Sequence, residues 1–345
     1  MCKNACLFPF SEETLLMLKY KVLIKDYSIK YTAALPGHSN GFISDINNCD
    51  VEYINIWNDA VCENFDTIIV PSNYVDTYNE DVKNRLLSLE KLGKEIVPVG
   101  ESSAFISHKM TQKSQIFPIS ACVIFITGLG PHIQKNELTI ELYNRFNANG
   151  ISVEVVSSYV GASIMGFHEF PNFMYYNNID ECNKMIKFNH FIKDIDSKNP
   201  DIIIICLPGS VMPYPDETDV SNCGVLHFMI SNIVPPDYVC CNLYAKEYSE
   251  YELIDIIEMS EKRMGKSLDG LVISDFAIDW VAYNDIITDG EIQFFPLSTT
   301  IVDRYVHNFR SNVKEINVYS MRSINDLYNN IMQCFHGDTR NFQIL

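Results

Sequence analysis

The sequence is short of basic residues: 26 Lys and Arg stand against 44 Asp and Glu, a formal net charge of −18. With no cationic surplus to neutralise phosphates and release counterions, nucleic acid is disfavoured as the main partner, and so is an anionic membrane surface. No CxxC pair occurs among the 11 cysteines, so the common zinc-ribbon and dithiol redox spacings are excluded. The closest pairs are Cys2/Cys6 and the adjacent Cys240/Cys241. A CxxxC metal site at Cys2 and Cys6 and a plain frayed terminus both fit that spacing. No apolar run approaches ~18 residues; stretches such as IIIIC and VIFI have strand length. The start MCKNACLFPF lacks the long apolar region and cleavage signal of a secretory leader. The expectation is a cytoplasmic protein with reduced, buried thiols in flanks such as ISACVIFI and IIIICLPG.

What is present suits a globular α/β protein. At roughly 150 residues per domain, 345 residues imply about two domains, each with material for a core. In the first third, strands alternate with helices at short intervals. An apolar start leads into the amphipathic SEETLLMLKYKVLIKD, then the strands IKYTAAL and DTIIVP, a helix over about 79–92 stopped by Gly93, and the strand EIVPVG. That order is the mark of a parallel sheet wrapped by helices. The polar connector holding Lys109, Gln112, Lys113 and Gln115 ends at Pro118, and a domain boundary falls there. Residues 1–115 then form a Rossmann-like domain and residues 116–345 a second α/β domain. The second restarts with CVIFIT and continues through SVEVVSS, DIIIICLPG, DYVCCNLYA and DGLVISD, with helices between. Near-continuous apolar strands of this kind require a sheet covered on both faces.

The strongest chemical signal is CVIFITGLGPHIQKNELTIEL: a buried strand, a glycine turn with Gly128 and Gly130, and Lys135 in the first turn of a helix. Backbone N–H groups at such a turn face an anion, and the lysine adds a point charge. The motif G-x-x-x-x-G-K-[ST] is not matched. A longer variant is, and here the segment resembles the loop of dethiobiotin synthetase and its relatives in the P-loop NTPase superfamily. The matched positions are Thr127, Gly128, Gln134, Lys135 and Asn136. Two departures matter. Gln134 stands where the family has glycine, so its side chain must point away or obstruct the site. Asn136 stands where a hydroxyl would bind Mg²⁺. The acidic residue expected at the end of the next strand is also missing, for that place is Cys206-Leu207-Pro208-Gly209, and Asp201 sits at the strand's far end. Losing hydroxyl and carboxylate together removes elements each worth several kcal/mol in phosphoryl transfer. Nucleotide hydrolysis, binding of a nucleotide or other phosphate-bearing ligand without hydrolysis, and a structural glycine turn all stay open.

Two further clusters lie at strand ends, where open α/β sheets bind ligands. One, GFHEFPNFMYYNN, carries His168, Glu169 and Asn172 among aromatics and reads either as a lid or substrate- or partner-contact loop, with His168 as an acid/base group, or as an aromatic plug. The other, LPGSVMPYPDETDVSNCGVLHF, holds Gly209, a further candidate substrate or partner contact, and the acidic Asp216, Glu217 and Asp219, which read as a metal edge or as solvated carboxylates. Cys223 with His227 would share one helix face as a nucleophile and base, or have no chemical role. Asp275, Asp279 and Trp280 fit a base-recognition element or simple capping. No metal set is assigned.

Across its length the chain resembles the clostridial peptide maturation system proteins. The segments that carry this are PFS, LKYKVLIKDY, ITGLGPHIQKNE, GFHEFPNFM, FNHFIK, PDIIIICLPGSVMP and the DW at Trp280. The resemblance implies an accessory role in maturing a ribosomally synthesised Cys-rich or bacteriocin-like peptide. Its implied partners are the precursor peptide, a radical SAM maturase and an acyl-carrier-related protein. An ATP-dependent enzyme activating a carboxylate or peptide amide is the alternative.

Overall fold

The computed structural model describes residues 2–35, 49–71, 80–100, 115–213, 224–279, 294–312 and 316–337. The chain divides into two compact units, Met1–Met110 with Ser158–Phe170, and Thr111–Ser157 with Pro171–Leu345. Each is an α/β unit on a mainly parallel sheet covered by helices.

In the first unit the order is β1 (Lys3–Leu7), α1 (Glu12–Lys19), β2 (Tyr27–Thr32), β3 (Glu52–Tyr53), α2 (Asp59–Cys62), β4 (Thr67–Pro71), α3 (Glu80–Lys91) and β5 (Glu95–Val99). These strands form a five-stranded sheet, β3-β2-β1-β4-β5, with every pair parallel. The amphipathic stretch after Ser11 is a helix only as far as Lys19, followed by a 3₁₀ turn over Lys21–Leu23. The N-terminal residues are neither frayed nor a metal site, because β1 is the central strand. Cys6 is wholly buried beside Phe8, Phe65, Ile68 and Val70, whereas Cys2 is exposed. Residues four apart in extended chain lie about 13 Å apart, too far to share one metal ion.

The second unit begins with β6 (Cys122–Gly128), α4 (Lys135–Ala148) and β7 (Val153–Ser157); β8 (His168–Glu169) falls in the segment grouped with the first unit, and the second resumes with α5 (Glu181–Asp196), β9 (Ile202–Cys206), α6 (Val225–Ser231) and β10 (Tyr238–Leu243). It continues with α7 (Glu250–Met264), β11 (Gly270–Ile273), β12 (Phe276–Ile278), β13 (Phe294–Pro296), α8 (Thr299–Asn312), β14 (Asn317–Ser320) and α9 (Ile324–Gly337). The sheet has seven strands, of which six run parallel in the order β14-β11-β10-β6-β9-β7. Strand β6 thus sits near the middle, where its apolar residues are covered on both faces. Strand β13 lies in a separate two-stranded sheet, paired antiparallel with β12.

Aspartates at strand starts recur as a local device. Asp237 Oδ2 accepts from the Val123 N–H (2.9 Å), Asp269 Oδ2 from Val239 (2.8 Å) and Asp201 Oδ2 from Ser152 (2.8 Å). Each carboxylate satisfies a backbone amide at or just before the start of a neighbouring strand. Part of the acidic excess is therefore structural. It also explains why Asp201 does not serve at the opposite, carboxyl end of the sheet.

Helix α5 fastens the segment leading into β6. The wholly buried Asn189 accepts from the Phe117 N–H (2.7 Å) and donates to the carbonyls of Phe117 (2.9 Å) and Ile233 (3.0 Å). Lys193 Nζ donates to Pro118 O, and the His190 ring bonds Gln115 O. Asp196 accepts from the N–H groups of Ser120 (3.0 Å) and Ala121 (2.9 Å) and from Lys193 (2.6 Å). The segment FNHFIK is therefore a staple that sets where the glycine-rich strand begins.

Candidate functional site

The chain leaves β6 at Gly128 in close contact with β10. A Cβ at Gly128 would lie 2.8 Å from the Asn242 carbonyl oxygen and would overlap Ile133 Cδ1. Gly130 is shut in by the Tyr244 hydroxyl, which donates to Pro131 O at 2.8 Å. Gly128→Ala must move backbone in β10, so a loss of about 2 kcal/mol is expected. A shift in denaturant midpoint at unchanged slope would register it.

His132 (φ 55°) and Gln134 (φ 57°) are both left-handed, which swings their side chains out of the turn. The His132 ring packs on Phe294 with centroids 4.5 Å apart. Gln134 Nε2 donates to Glu137 (2.9 Å), and its Oε1 accepts from the Asp275 N–H (2.7 Å). Gln134 thus points away from the turn, and Asp275 serves as its backbone anchor. Ile133 instead turns inward, 1% exposed against Gly128, with its carbonyl held by Asn242 Nδ2 at 2.8 Å.

Lys135, the first residue of α4, reaches over the carboxyl edge of the sheet. Its Nζ donates to Leu207 O (3.1 Å) and to Gly209 O. The side chain is partly exposed along its length, but burial of the ammonium lowers its pKa, opposed by the Cys206 and Cys241 thiols. Asn136 Oδ1 accepts from Ser157 Oγ (3.2 Å) and from Cys206 Sγ (3.3 Å). Burial pushes the Cys206 thiol up, with Lys135 opposing, so it stays protonated and donates. The Tyr175 hydroxyl is also pushed up, by burial first and then by Cys206. Where a magnesium hydroxyl and a carboxylate would meet, the chain therefore holds an amide, a thiol and a serine hydroxyl, all neutral. Such a set binds a hard divalent cation poorly.

On the Thr127 side lies a residue that the sequence suggested only as a partner for Cys223. His227 is wholly buried on α6, and its Nε2 meets Thr127 Oγ1 at 2.6 Å. Burial, then the charges of Lys135 and Arg263, push its pKa down to about 3. Its Nδ1 has no partner among the described residues.

The other proposed residues are dispersed. His168 and Glu169 form β8, in the segment grouped with the first unit, whereas Asn172 opens a 3₁₀ turn, Asn172–Tyr175, of the second. Gly209 takes φ 71° and offers its carbonyl to Lys135. Asp216, Glu217, Asp219, Cys223 and Trp280 lie outside the described residues. No group of three or more potential metal-ligating side chains occurs among the described residues, and no helix there is long and apolar enough to cross a membrane.

The second unit is a P-loop-NTPase-like α/β module: central strand, glycine turn and first-turn lysine are in place, with altered chemistry around them. No protein-family model and no curated protein matches the chain. Among solved structures, a DUF1611 family protein from Anabaena variabilis shares the fold, with a TM-score of 0.62, 11% identity, and coverage of 96% of this chain and 99% of that one. HypB from Helicobacter pylori in complex with nickel aligns at TM-score 0.37 and 10% identity, over 66% of this chain and 92% of that one. A LAO/AO transport system kinase aligns at 0.37 and 11%, over 96% and 79%. The last two scores carry no argument, and at 11% identity the first concerns the fold alone.

Proposed function

We propose that this chain is a binding protein that does not hydrolyse nucleotide and acts as an accessory in maturing a ribosomally synthesised Cys-rich or bacteriocin-like peptide. In that role it holds the precursor peptide, or the maturase or carrier partner. The observation that carries the non-hydrolysing part is the neutral Asn136–Cys206–Ser157 network at the place of the magnesium centre. The peptide-maturation part rests on the sequence resemblance, and a net charge of −18 favours a basic peptide partner.

Two measurements test it. Phosphate release from ATP or GTP with Mg²⁺ is expected to stay at the blank rate, while the cognate precursor peptide binds in a titration at tens of micromolar or below. Absence of peptide binding there sinks the accessory reading. The retained Lys135 favours the alternative, ATP-dependent activation of a carboxylate or amide. Magnesium-dependent turnover that Lys135→Ala abolishes would establish that alternative instead.

A further inference from the structure

We infer that Ser158–Phe170 is an obligatory strap of the first unit, laid over the second face of its sheet. The unit then completes its core only after the chain has passed through β6, α4 and β7 and returned.

The five-stranded sheet has two apolar faces. Pairing aligns Cys6 with Tyr31 and Ile68, and Ile68 with Ile96, on one of them. These residues pack with Cys62 of α2 and with Val82, Leu86 and Leu89 of α3. The alternate residues Ala5, Leu7, Thr67, Ile69 and Val99 face the other way, and all five are buried.

Among the described α-helices of this unit, only α1 is left to cover that second face. The crossovers β1 to β2 and β4 to β5 run outward from the centre of the sheet in opposite directions. Both being right-handed, they put α1 and α3 on opposite faces. Met17 and Leu18 of α1 are accordingly buried outside the α3 cluster. A helix about 10 Å wide covers roughly two strands, whereas five strands at about 4.8 Å spacing span about 19 Å. A parallel sheet requires cover on both faces, so the β4–β5 half calls for a second layer beside α1.

The strap supplies it. Val160 meets the residue after β5 so closely that a Cβ on Gly100 would lie 2.6 Å from its Cγ2 and 3.2 Å from its carbonyl oxygen. The next strap residue meets α1: a Cβ on Gly161 would lie 2.8 Å from both Cγ and Cε of Met17. Two adjacent residues therefore touch the end of the edge strand and the helix at once, and only glycine fits at Gly100 and Gly161. Ala162, Met165, Phe167 and Phe170 follow, all buried. The backbone winds to present them, with Ala162 N–H donating to Tyr159 O (3.0 Å) and Phe167 N–H to Ala162 O (2.9 Å), and Gly166 at φ 83°.

Hydrogen exchange of the full chain, read by peptide mass across a urea series, tests the strap. Peptides covering 158–167 are expected to open with the same free energy and urea dependence as those of β1 and β4, as one cooperative unit. Strap peptides that exchange well ahead of β1 and β4 would mark a layer added to a finished domain and overturn the inference. In Gly161→Val, exchange in α1, β1 and β4 is expected to speed up at least about tenfold, with β10 and β11 of the second unit unchanged. Unaltered protection of β1 and β4 in that variant, or an equal loss in both units, overturns it as well. Should Gly161→Val fail to fold, the urea series on the native protein decides.

Discussion

Acidification from pH 6.5 towards 3 is expected to destabilise the second unit by something on the order of 4 kcal/mol through His227 alone. The unfolded chain takes up a proton at this imidazole near pH 6.5. The native state, where His227 is wholly buried and faces Lys135 and Arg263, does not do so until about pH 3. The folded value lies below the unfolded one, so over this window the unfolded state binds more protons and stability falls with pH. Each pH unit between the two values adds roughly 1.4 kcal/mol. Urea unfolding at stepped pH should show this slope in the native protein and a flatter one in His227→Gln. Equal slopes in the two proteins would show that His227 is not the group responsible.

Asp196→Ala is expected to cost about 3 kcal/mol at neutral pH. The substitution strands the amides of Ser120 and Ala121 and frees Lys193, which now holds both Asp196 and Pro118. Burial alone would raise the Asp196 pKa. Lys193 and the two amides outweigh it, and the net direction is down. A carboxylate with a lowered folded pKa contributes fully above its unfolded value of about 3.9 and loses that contribution as pH falls through the folded one. Its window opens only below about pH 3.9, so in a pH series the slope between 6.5 and 3.9 belongs to His227 and not to Asp196. A melting temperature unmoved by Asp196→Ala would refute the staple.

The chemistry of the candidate site was partly written in the order of residues. The Thr127–Gly128 turn and Lys135 were recognisable by spacing, and Cys206 and Asn136 stood visibly where acid and hydroxyl were due. The direction of Gln134 was not readable. It depends on a left-handed backbone and on the Asp275 amide, 141 residues away. The role of FNHFIK was equally hidden, since a helical segment does not say which strand it fastens. Arg263 gave no signal at all: in EMSEKRMG it reads as a basic residue ending a helix, and only the fold brings its side chain up to Gly224.

Composition and periodicity alone determined an α/β chain with parallel strands, because apolar runs of strand length alternating with amphipathic helices have few other ways to bury their surface. They also showed Asn136 and Cys206 standing where the hydroxyl and carboxylate of a magnesium centre were due. Tertiary structure decided the rest: the grouping of Ser158–Phe170 with the first unit, the antiparallel β12–β13 pair, the inward turn of Ile133 and the burial of His227. Each of these depends on contacts between residues far apart in the chain, whose free energies local pattern does not encode.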